Sequence, residues 1–287
     1  MKEPRLISAR SHALVKQLHR LATEPGAYRK LGSVWLEGDH LGRALLARGR
    51  VPGLAVIGAS AWEHQADLRA LALQAAEVVV LDDRLLGEIS SLDTPVPIGF
   101  VLDLPVGWPD LAAAGPLAGV DTVVLDRLQD PGNVGTVLRS AAALGLRQVL
   151  ALKGSAALWS PKVLRAGMGA HFALDLYEGV DLATLDRLAA QGLTLVATSS
   201  HTRSELHRVR LPRPCAWVLG HEGQGVDEAL QQRCRLAVRI PQPGGEESLN
   251  VAAAAAICFY ETARQRLDGA SAGAGRAQVN AAISPEP

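Results

Sequence analysis

The sequence predicts an α/β protein with two domains, and three observations lead to this prediction. Short apolar segments such as LAVIG and EVVVL alternate with longer segments whose leucines and alanines recur at helical spacing. The chain has 287 residues, enough for two domains with separate cores. Prolines and glycines are concentrated between residues 103 and 119, which is typical of a linker.

Leu14, Leu18 and Leu21 share one helical face near the N-terminus, and apolar strands alternate with helices in the two longer parts of the chain. In the second of these parts the strands are apolar throughout, which indicates a parallel sheet covered on both faces. The predicted segments are a basic helical lead-in (1–30), a smaller α/β domain (31–103), a linker (104–119), a larger parallel-sheet α/β domain (120–268) and a disordered tail (269–287).

The composition excludes several classes of protein. Apolar residues make up 48% and charged residues 20% of the chain, so a polar disordered protein is excluded. No segment reaches the roughly 18 apolar residues of a membrane span, and the N-terminus lacks a secretory pattern, so we expect a cytoplasmic protein without a membrane partner. Cys215, Cys234 and Cys258 form no CxxC pair, and the eight histidines form no HExxH group. Reduced thiols and no metal are therefore expected.

The positive charges are concentrated at the N-terminal end. Residues 1–50 contain ten Lys or Arg against four Asp or Glu, a surplus of six. Clustered basic side chains favour a nucleic acid partner because they displace counterions from phosphates. A solvated helical face explains the same charges, so both interpretations stay open on this observation alone.

The first of three unusual loops contains the sequence DPGN after a predicted strand. Asp130 to Asn133 are turn-forming residues, and a helix follows with Arg139 predicted about one turn inside it. An arginine beside the free N–H groups of a helix start suits an anion. A capped helix with a surface arginine explains the pattern equally well.

The second loop, in the sequence VLGHEGQGVDEAL, is rich in glycine. Gly220, Gly223 and Gly225 allow close approach of a flat or extended ligand, and Glu222 adds a carboxylate. An N-terminal partner for the following helix is an equal explanation for Glu222. The dinucleotide fingerprint GxGxxG is absent, which disfavours a nicotinamide enzyme.

The third loop follows a strand that ends at Ile240. A Pro/Gly-rich stretch leads to Ser248 and Asn250, which are residue types that cap helices and stand before the helix-forming run VAAAAA. Ligands of parallel sheets bind where the carboxyl ends of the strands meet the loops. Three such loops in one sheet predict a shared site.

The segments DPGNVGTVLRSAAALG, GHEGQGV and IPQPGGEESLNVAAAAAICFYE resemble the three motifs of the SpoU or TrmH-like branch of the SPOUT superfamily. Members of this branch are RNA ribose 2′-O-methyltransferases that use S-adenosylmethionine. The resemblance covers about residues 120–265. The segment WLEGDHLGRALL is similar to the start of a substrate-binding domain that precedes this fold in rRNA-modifying members. The resemblance therefore implies an RNA substrate, with rRNA favoured over tRNA.

For the fold, the resemblance implies a trefoil knot in the C-terminal domain, a homodimer, and S-adenosylmethionine bound at the knot. The cofactor contacts carry over to Thr198, Gly220, Ile240 and Leu249. The dimer would pack near the first of the three loops and near the last helix, where the alanines at 252–256 permit close approach. Packing within one chain explains these alanines as well.

For catalysis, the resemblance assigns five polar residues: Asn133, Arg139, Glu222, Ser248 and Asn250. A ribose 2′-hydroxyl is a poor nucleophile, so the site must align it with the methyl group and stabilise the negative charge that develops on its oxygen. A guanidinium stays protonated, so Arg139 is expected to hold the target phosphate and polarise the hydroxyl. The other four residues would orient the arginine, the loops and the ribose.

Three places depart from the family pattern. Gln242 replaces a common methionine and Ala252 a frequent serine, and neither position is expected to perform chemistry. TPVPIGFVL replaces the usual TPQG at the end of the first domain. Two further functions stay as alternatives: a non-catalytic RNA-binding or ribosome-assembly protein on the same scaffold, and a small-molecule enzyme with a dinucleotide cofactor.

Overall fold

The structure is a computed structural model that describes residues 4–104, 115–199, 202–245 and 248–281, with side chains through residue 268. Most of the predicted linker and residues 282–287 of the predicted tail lie outside the described residues. The described strands form two sheets, one of five strands and one of six.

The N-terminal sheet is mixed, in the strand order β1-β4-β3-β5-β2. β1, β3 and β4 are parallel to one another, whereas β5 runs antiparallel to both β2 and β3. Its strands are β1 (Arg5–Ile7), β2 (Ser33–Glu37), β3 (Leu54–Gly58), β4 (Glu77–Leu81) and β5 (Ile98–Asp103). Its helices are α1 (Ala13–Thr23), α2 (Ala27–Leu31), α3 (Asp39–Leu46), α4 (Ala59–His64), α5 (Ala66–Ala72) and α6 (Asp83–Ile89).

The lead-in differs from a single helix. Its first described element is β1, which pairs with β4, so the lead-in is part of the N-terminal sheet. α1 then buries Leu18 and Leu21, two of the three leucines that predicted it. Pro25 and Gly26 follow, and because both disfavour helix interiors, a second short helix, α2, begins at Ala27.

The C-terminal sheet is entirely parallel, as the apolar strands predict, in the order β11-β9-β10-β6-β7-β8. Its strands are β6 (Thr122–Leu125), β7 (Gln148–Leu152), β8 (Asp175–Val180), β9 (Thr194–Thr198), β10 (Cys215–Leu219) and β11 (Leu236–Val238). Its helices are α7 (Pro131–Ala143), α8 (Pro161–Gly167), α9 (Leu182–Ala190), α10 (Glu228–Gln231) and α11 (Val251–Ala281). The trefoil knot stays a prediction.

Helices cover both faces of this sheet. On β6, Val123 and Leu125 pack into the cluster that contains Phe259 of α11, while Val124 packs into the cluster that contains Leu188 of α9. Successive side chains of a strand point to opposite faces, so a strand that is apolar at every position is buried on both. The first cluster continues into the N-terminal domain and joins the two cores.

The last helix divides the alanine run between two environments. Ala252 and Ala255 are buried within the protomer, whereas Ala253 is exposed. Internal packing therefore accounts for part of the run. The helix continues to Ala281, beyond residue 268, where the folded domain was predicted to end and a disordered tail to begin.

The described cysteines are free thiols. Cys215 and Cys258 are buried, and burial raises the pKa of each to about 12. Among the described residues, no group of three or more His, Cys, Asp or Glu side chains is arranged to hold a metal ion. None of the helices in the described ranges has the length and apolarity required to cross a membrane.

Candidate functional site

The three loops predicted to share a site begin side by side. Leu219 at the end of β10 lies opposite Leu125 at the end of β6, and Val238 of β11 lies opposite Thr198 of β9. The four strands are consecutive in the sheet, with β10 between β9 and β6. Neighbouring strands lie about 4.8 Å apart, so the loops that follow them meet at one carboxyl edge.

The first loop ends directly in α7. The Asp130 carboxylate accepts a hydrogen bond from the Asn133 backbone N–H at 2.7 Å, and Pro131 occupies the first helical turn. Both features fix a helix start. α7 therefore begins at Pro131, and Arg139 is its ninth residue, more than two turns inside the helix. The prediction of about one turn was wrong because the DPGN segment starts the helix instead of forming a separate turn.

One hydrogen-bonded chain connects all three loops. Asn133 Nδ2 donates to Glu222 Oε1 at 3.2 Å, and Asn250 Nδ2 donates to Asn133 Oδ1 at 3.0 Å. Because Asn133 uses both ends of its amide, the first loop orients the carboxylate of the second and the cap residue of the third. The structure thus brings together three of the five residues predicted for catalysis.

Glu222 also accepts hydrogen bonds from two backbone N–H groups of the first loop. Asp130 donates to its Oε1 at 3.1 Å and Gln129 to its Oε2 at 3.4 Å. Partial burial raises the pKa of this carboxyl, but the donated hydrogen bonds outweigh that effect and hold the pKa below its usual range. Glu222 is therefore a carboxylate at neutral pH, and it connects two loops in addition to any role at the helix start.

Asn250 caps α11. Its Oδ1 accepts from the backbone N–H groups of Ala252 at 2.9 Å and Ala253 at 3.3 Å. The predicted capping role is thus confirmed, and the same side chain reaches Asn133 through its amide nitrogen. A single residue starts the helix and connects it to the first loop.

Arg139 is separate from this chain of hydrogen bonds. Its side chain is exposed, and it makes no hydrogen bond or ion pair with any residue in the described part of the chain. Gly132, seven residues earlier, lies on the same face of α7. The guanidinium is therefore available to a ligand that approaches this face.

A cavity of about 170 Å³ lies at the ends of β9 and β11. Its lining includes Thr198, Ile240, Ser248 and Leu249, which comprise three of the four predicted cofactor contacts and one predicted catalytic residue. Thr198 and Ser248 offer hydroxyl groups, while Ile240 and Leu249 offer apolar surface. A nucleoside that carries an amino-acid chain requires both kinds of surface, so the lining fits S-adenosylmethionine. The volume is below the usual range for small-ligand pockets, so these residues would hold part of the cofactor.

Gly220, the fourth predicted cofactor residue, does not line this cavity. A Cβ atom at Gly220 would lie 2.2 Å from the carbonyl carbon of Gly225 and 2.3 Å from the nitrogen of Val226. His221 and Gly225 exchange two backbone hydrogen bonds, at 3.0 and 2.9 Å, that close this loop. The glycine thus permits the loop to fold back on itself.

Sequence reasoning missed a second connection between the first two loops. Asp126, only 3% exposed, accepts a hydrogen bond from the Asp227 backbone N–H at 2.7 Å. It also forms an ion pair with Arg127, and Nη1 of that arginine donates to Gln224 Oε1 at 2.9 Å. The available signal was an acidic and a basic residue directly after an apolar strand, where a buried charge needs a partner.

The fold and the linked loops define a SPOUT-type methyltransferase, with the three motifs of that superfamily at one edge of a parallel sheet. The SpoU rRNA methylase family profile matches residues 121–260. An uncharacterized tRNA/rRNA methyltransferase of Synechocystis sp. is 33% identical over 266 residues, which cover 91% of this chain and 94% of that protein. The chain belongs to the SpoU rRNA methylase family, which excludes the dinucleotide-cofactor alternative.

Other comparisons agree with this assignment. The 23S rRNA (guanosine(2553)-2′-O)-methyltransferase RlmP of Bacillus subtilis is 33% identical, with 63% of this chain and 70% of that protein aligned. A crystal structure of an RNA 2′-O ribose methyltransferase matches with a TM-score of 0.74 and 28% identity, over 91% of this chain and 99% of that one. The methyltransferase AviRb of Streptomyces viridochromogenes, solved with AdoMet, has the same fold at 23% identity, with a TM-score of 0.77 over 90% of this chain and 100% of that one.

Proposed function

We propose that this protein methylates a ribose 2′-hydroxyl in structured rRNA, using S-adenosylmethionine. The supporting observation is the chain of hydrogen bonds from Glu222 through Asn133 to Asn250, which connects three loops at one sheet edge. Membership in the SpoU rRNA methylase family gives the reaction class.

Each group has a part in the proposed mechanism. When bound, S-adenosylmethionine supplies a methyl group already activated by its sulfonium charge. Thr198, Ile240 and Leu249 hold part of the cofactor, and Ser248 lies on the same cavity wall. Arg139 contacts the phosphate of the target nucleotide and polarises its 2′-hydroxyl. The 2′-hydroxyl must lose its proton on methylation, and this proton would pass to a phosphate oxygen or to water, since the guanidinium of Arg139 cannot accept it.

The test is transfer of labelled methyl groups to unmodified ribosomal RNA, followed by mass spectrometric mapping of 2′-O-methylated nucleotides. Wild-type protein should label rRNA, and Arg139→Ala should keep cofactor affinity while losing most of the rate. Methyl transfer to tRNA and not to rRNA would show that the substrate is tRNA. Retention of RNA without any transfer would support the non-catalytic alternative. Full activity of Arg139→Ala would exclude the role given to this arginine.

We also propose that the protein is a homodimer that packs through α11. Ala253, Ile257, Tyr260 and Leu267 are exposed at spacings of four, three and seven residues, which places them in one stripe. Ile257 is 40% and Tyr260 62% exposed. Arg264, which pairs with Glu261 and Asp268, interrupts the stripe before Leu267, and the apolar part from Ala253 to Tyr260 suits burial against a second copy.

Analytical ultracentrifugation tests the dimer. Tyr260→Glu should convert a wild-type dimer to a monomer, since an ionised carboxylate would be buried at the contact. Arg187→Glu, at an exposed position on α9, introduces the same carboxylate elsewhere and should remain dimeric. A monomeric wild-type protein would contradict the proposal.

A substrate in ribosomal RNA would place the protein in the cytoplasm. The basic N-terminal region supports a contribution of the first domain to RNA binding, because Lys16, His19 and Arg20 are exposed on α1.

A further inference from the structure

A second cavity lies between the two domains. Its volume is about 360 Å³, and its lining includes Thr23 and Ser91 from the N-terminal domain and Pro131, Ala156, Lys162 and Arg165 from the C-terminal domain. This interdomain cleft is within the size range of small-ligand pockets. It differs from the cavity at the ends of β9 and β11, with which it shares no lining residue.

The charged side chains of the interdomain cleft are both positive. Lys162 and Arg165 are three residues apart on α8, so they project from one face of the helix. Lys162 is exposed and has no ion pair within the described ranges, and Arg165 donates across the domain boundary to the Ser91 hydroxyl. No carboxylate is among the described residues that line the cleft. This combination suits an anion.

The interdomain cleft adjoins the candidate catalytic site. Pro131, on its wall, is the first residue of α7 and lies next to Asp130, whose backbone N–H donates to Glu222. α8 is held close to α7 at Gly135, where a Cβ atom would lie 2.4 Å from that of Ala166. Lys162 and Arg165 therefore have a fixed position relative to the start of α7. A polymer that presents one unit to the catalytic loops can place a neighbouring unit in the cleft.

We propose that the interdomain cleft binds an unpaired nucleotide adjacent to the target ribose, with its phosphate on Lys162 and Arg165. The apolar wall, which includes Pro131 and Ala156, contacts its sugar and base. RNA loops expose unstacked nucleotides of this kind, and lysine and arginine bind phosphate with strong salt dependence. The inference rests on the proposed function, since it requires an RNA substrate at the neighbouring site.

The test compares three single variants of the full-length protein. Lys162→Gln removes the charge, Lys162→Arg keeps it, and Arg187→Gln removes one positive charge from an exposed position on α9, outside the cleft. The dissociation constant for an unmodified rRNA transcript is measured at several salt concentrations. Lys162→Gln should raise this constant about 3- to 10-fold and reduce the slope of log K against log salt by about 0.7, the effect of one lost single-strand phosphate contact.

Further measurements separate this inference from the proposed function. In methyl transfer, Lys162→Gln should raise KM for RNA and leave kcat and cofactor affinity unchanged, while Lys162→Arg and Arg187→Gln should resemble the wild type. Equal affinity and salt slope for Lys162→Gln and the wild type would overturn the inference. An equal effect of Arg187→Gln would overturn it too, because the effect would then arise from net charge. A wild-type protein that binds RNA without methyl transfer would refute the proposed function, while the affinity comparison would still test the cleft.

Discussion

At the scale of single residues, Asn133 is the centre of the candidate site. Its amide nitrogen donates to Glu222 and its amide oxygen accepts from Asn250. Aspartate cannot replace it in this arrangement, since an ionised carboxylate has only acceptors and would face that of Glu222. The side chain is thus specified by both of its neighbours.

Asn133→Ala should lower kcat for methyl transfer about 10- to 100-fold, because Glu222 and Asn250 each lose a partner and the loops lose their common orientation. The free energy of unfolding should fall by only about 1 kcal/mol, the usual net value of such hydrogen bonds. Thr136→Ala, on the same helix, removes a hydrogen bond to the Gly132 carbonyl and serves as the control. Equal kcat values for the two variants would contradict the role of Asn133.

The motif resemblance predicted which residues belong to the site, but it did not predict the hydrogen bonds that these residues make. It predicted Asn133, Glu222 and Asn250, which the structure connects, but residue types in a sequence do not reveal that one amide serves both partners. Asp126 and Asp227 were missed because their hydrogen bond joins residues 101 positions apart. Such pairs exist only after the strands have been placed side by side.

At the scale of elements, the packing of α7 on α8 sets the position of the catalytic loop. The two helices are in close contact at Gly135. A Cβ atom there would lie 2.8 Å from both the Gly167 nitrogen and the Val163 oxygen of α8. These are backbone atoms, so the two helices can relieve the contact only by moving apart. Asn133, two residues earlier, would move with α7.

Gly135→Ala should therefore lower the free energy of unfolding by about 1–3 kcal/mol, the cost of overpacking a core, even though alanine favours helix over glycine. Gly132→Ala is the matched substitution, since its Cβ meets only the Asp130 side chain, at 3.0 Å. Urea denaturation of the two variants measures the difference. A more stable Gly135→Ala protein would show that the helices are not in close contact at this position.

His171, in the turn after α8, gives the packing a pH dependence. Nε2 carries the proton donated to the Leu158 carbonyl at 2.8 Å, and complete burial lowers the pKa to about 4 from an ordinary 6.5. Below pH 6.5 the unfolded chain binds a proton at His171, whereas the folded chain does not bind it until the pH approaches 4. The part of the unfolding free energy that depends on neutral His171 is therefore present above pH 6.5 and lost as the pH falls toward 4.

Relative to His171→Gln, the wild type should lose about 3 kcal/mol of unfolding free energy between pH 7 and pH 4. Glutamine does not titrate and can still donate to Leu158. Denaturant unfolding of both proteins across this pH range gives the difference. A constant gap between the two curves would mean that His171 takes up its proton in the folded state.

Elements were predictable from the sequence where burial alone determines them. β6, β7, β9 and β10 are apolar runs buried on both faces, and they follow the pattern from which the sequence predicts a parallel sheet covered on both faces. β8 was missed because Asp175 and Glu178 interrupt its apolar pattern. β1 was missed because it has only three residues, and it is a strand through its pairing with β4. Both strands therefore depend on tertiary contacts rather than on local propensity.

At the scale of the whole molecule, the Glu178 carboxylate of β8 connects the two domains. Glu178 is 7% exposed and accepts from the Tyr28 hydroxyl at 2.6 Å, from the Leu158 backbone N–H at 2.6 Å and from the Arg29 guanidinium at 3.2 Å. Burial, and next the charge of Glu178, hold the pKa of Tyr28 above its usual range, so the phenol remains a donor. A carboxylate with these partners can be buried at a domain boundary.

Tyr28→Phe should lower the free energy of unfolding by about 1.5–3 kcal/mol, the value of a hydrogen bond to a charged group, because the buried carboxylate loses a donor. It should also raise KM for RNA, since the interdomain cleft requires both domains in place, and leave cofactor affinity unchanged. Tyr177→Phe removes a hydroxyl that donates to the Gly115 carbonyl at 3.2 Å and should cost about 1 kcal/mol or less without an effect on RNA. Equal losses in the two variants would mean that Glu178 is satisfied without the N-terminal domain, and the domains would then be joined by their shared apolar core.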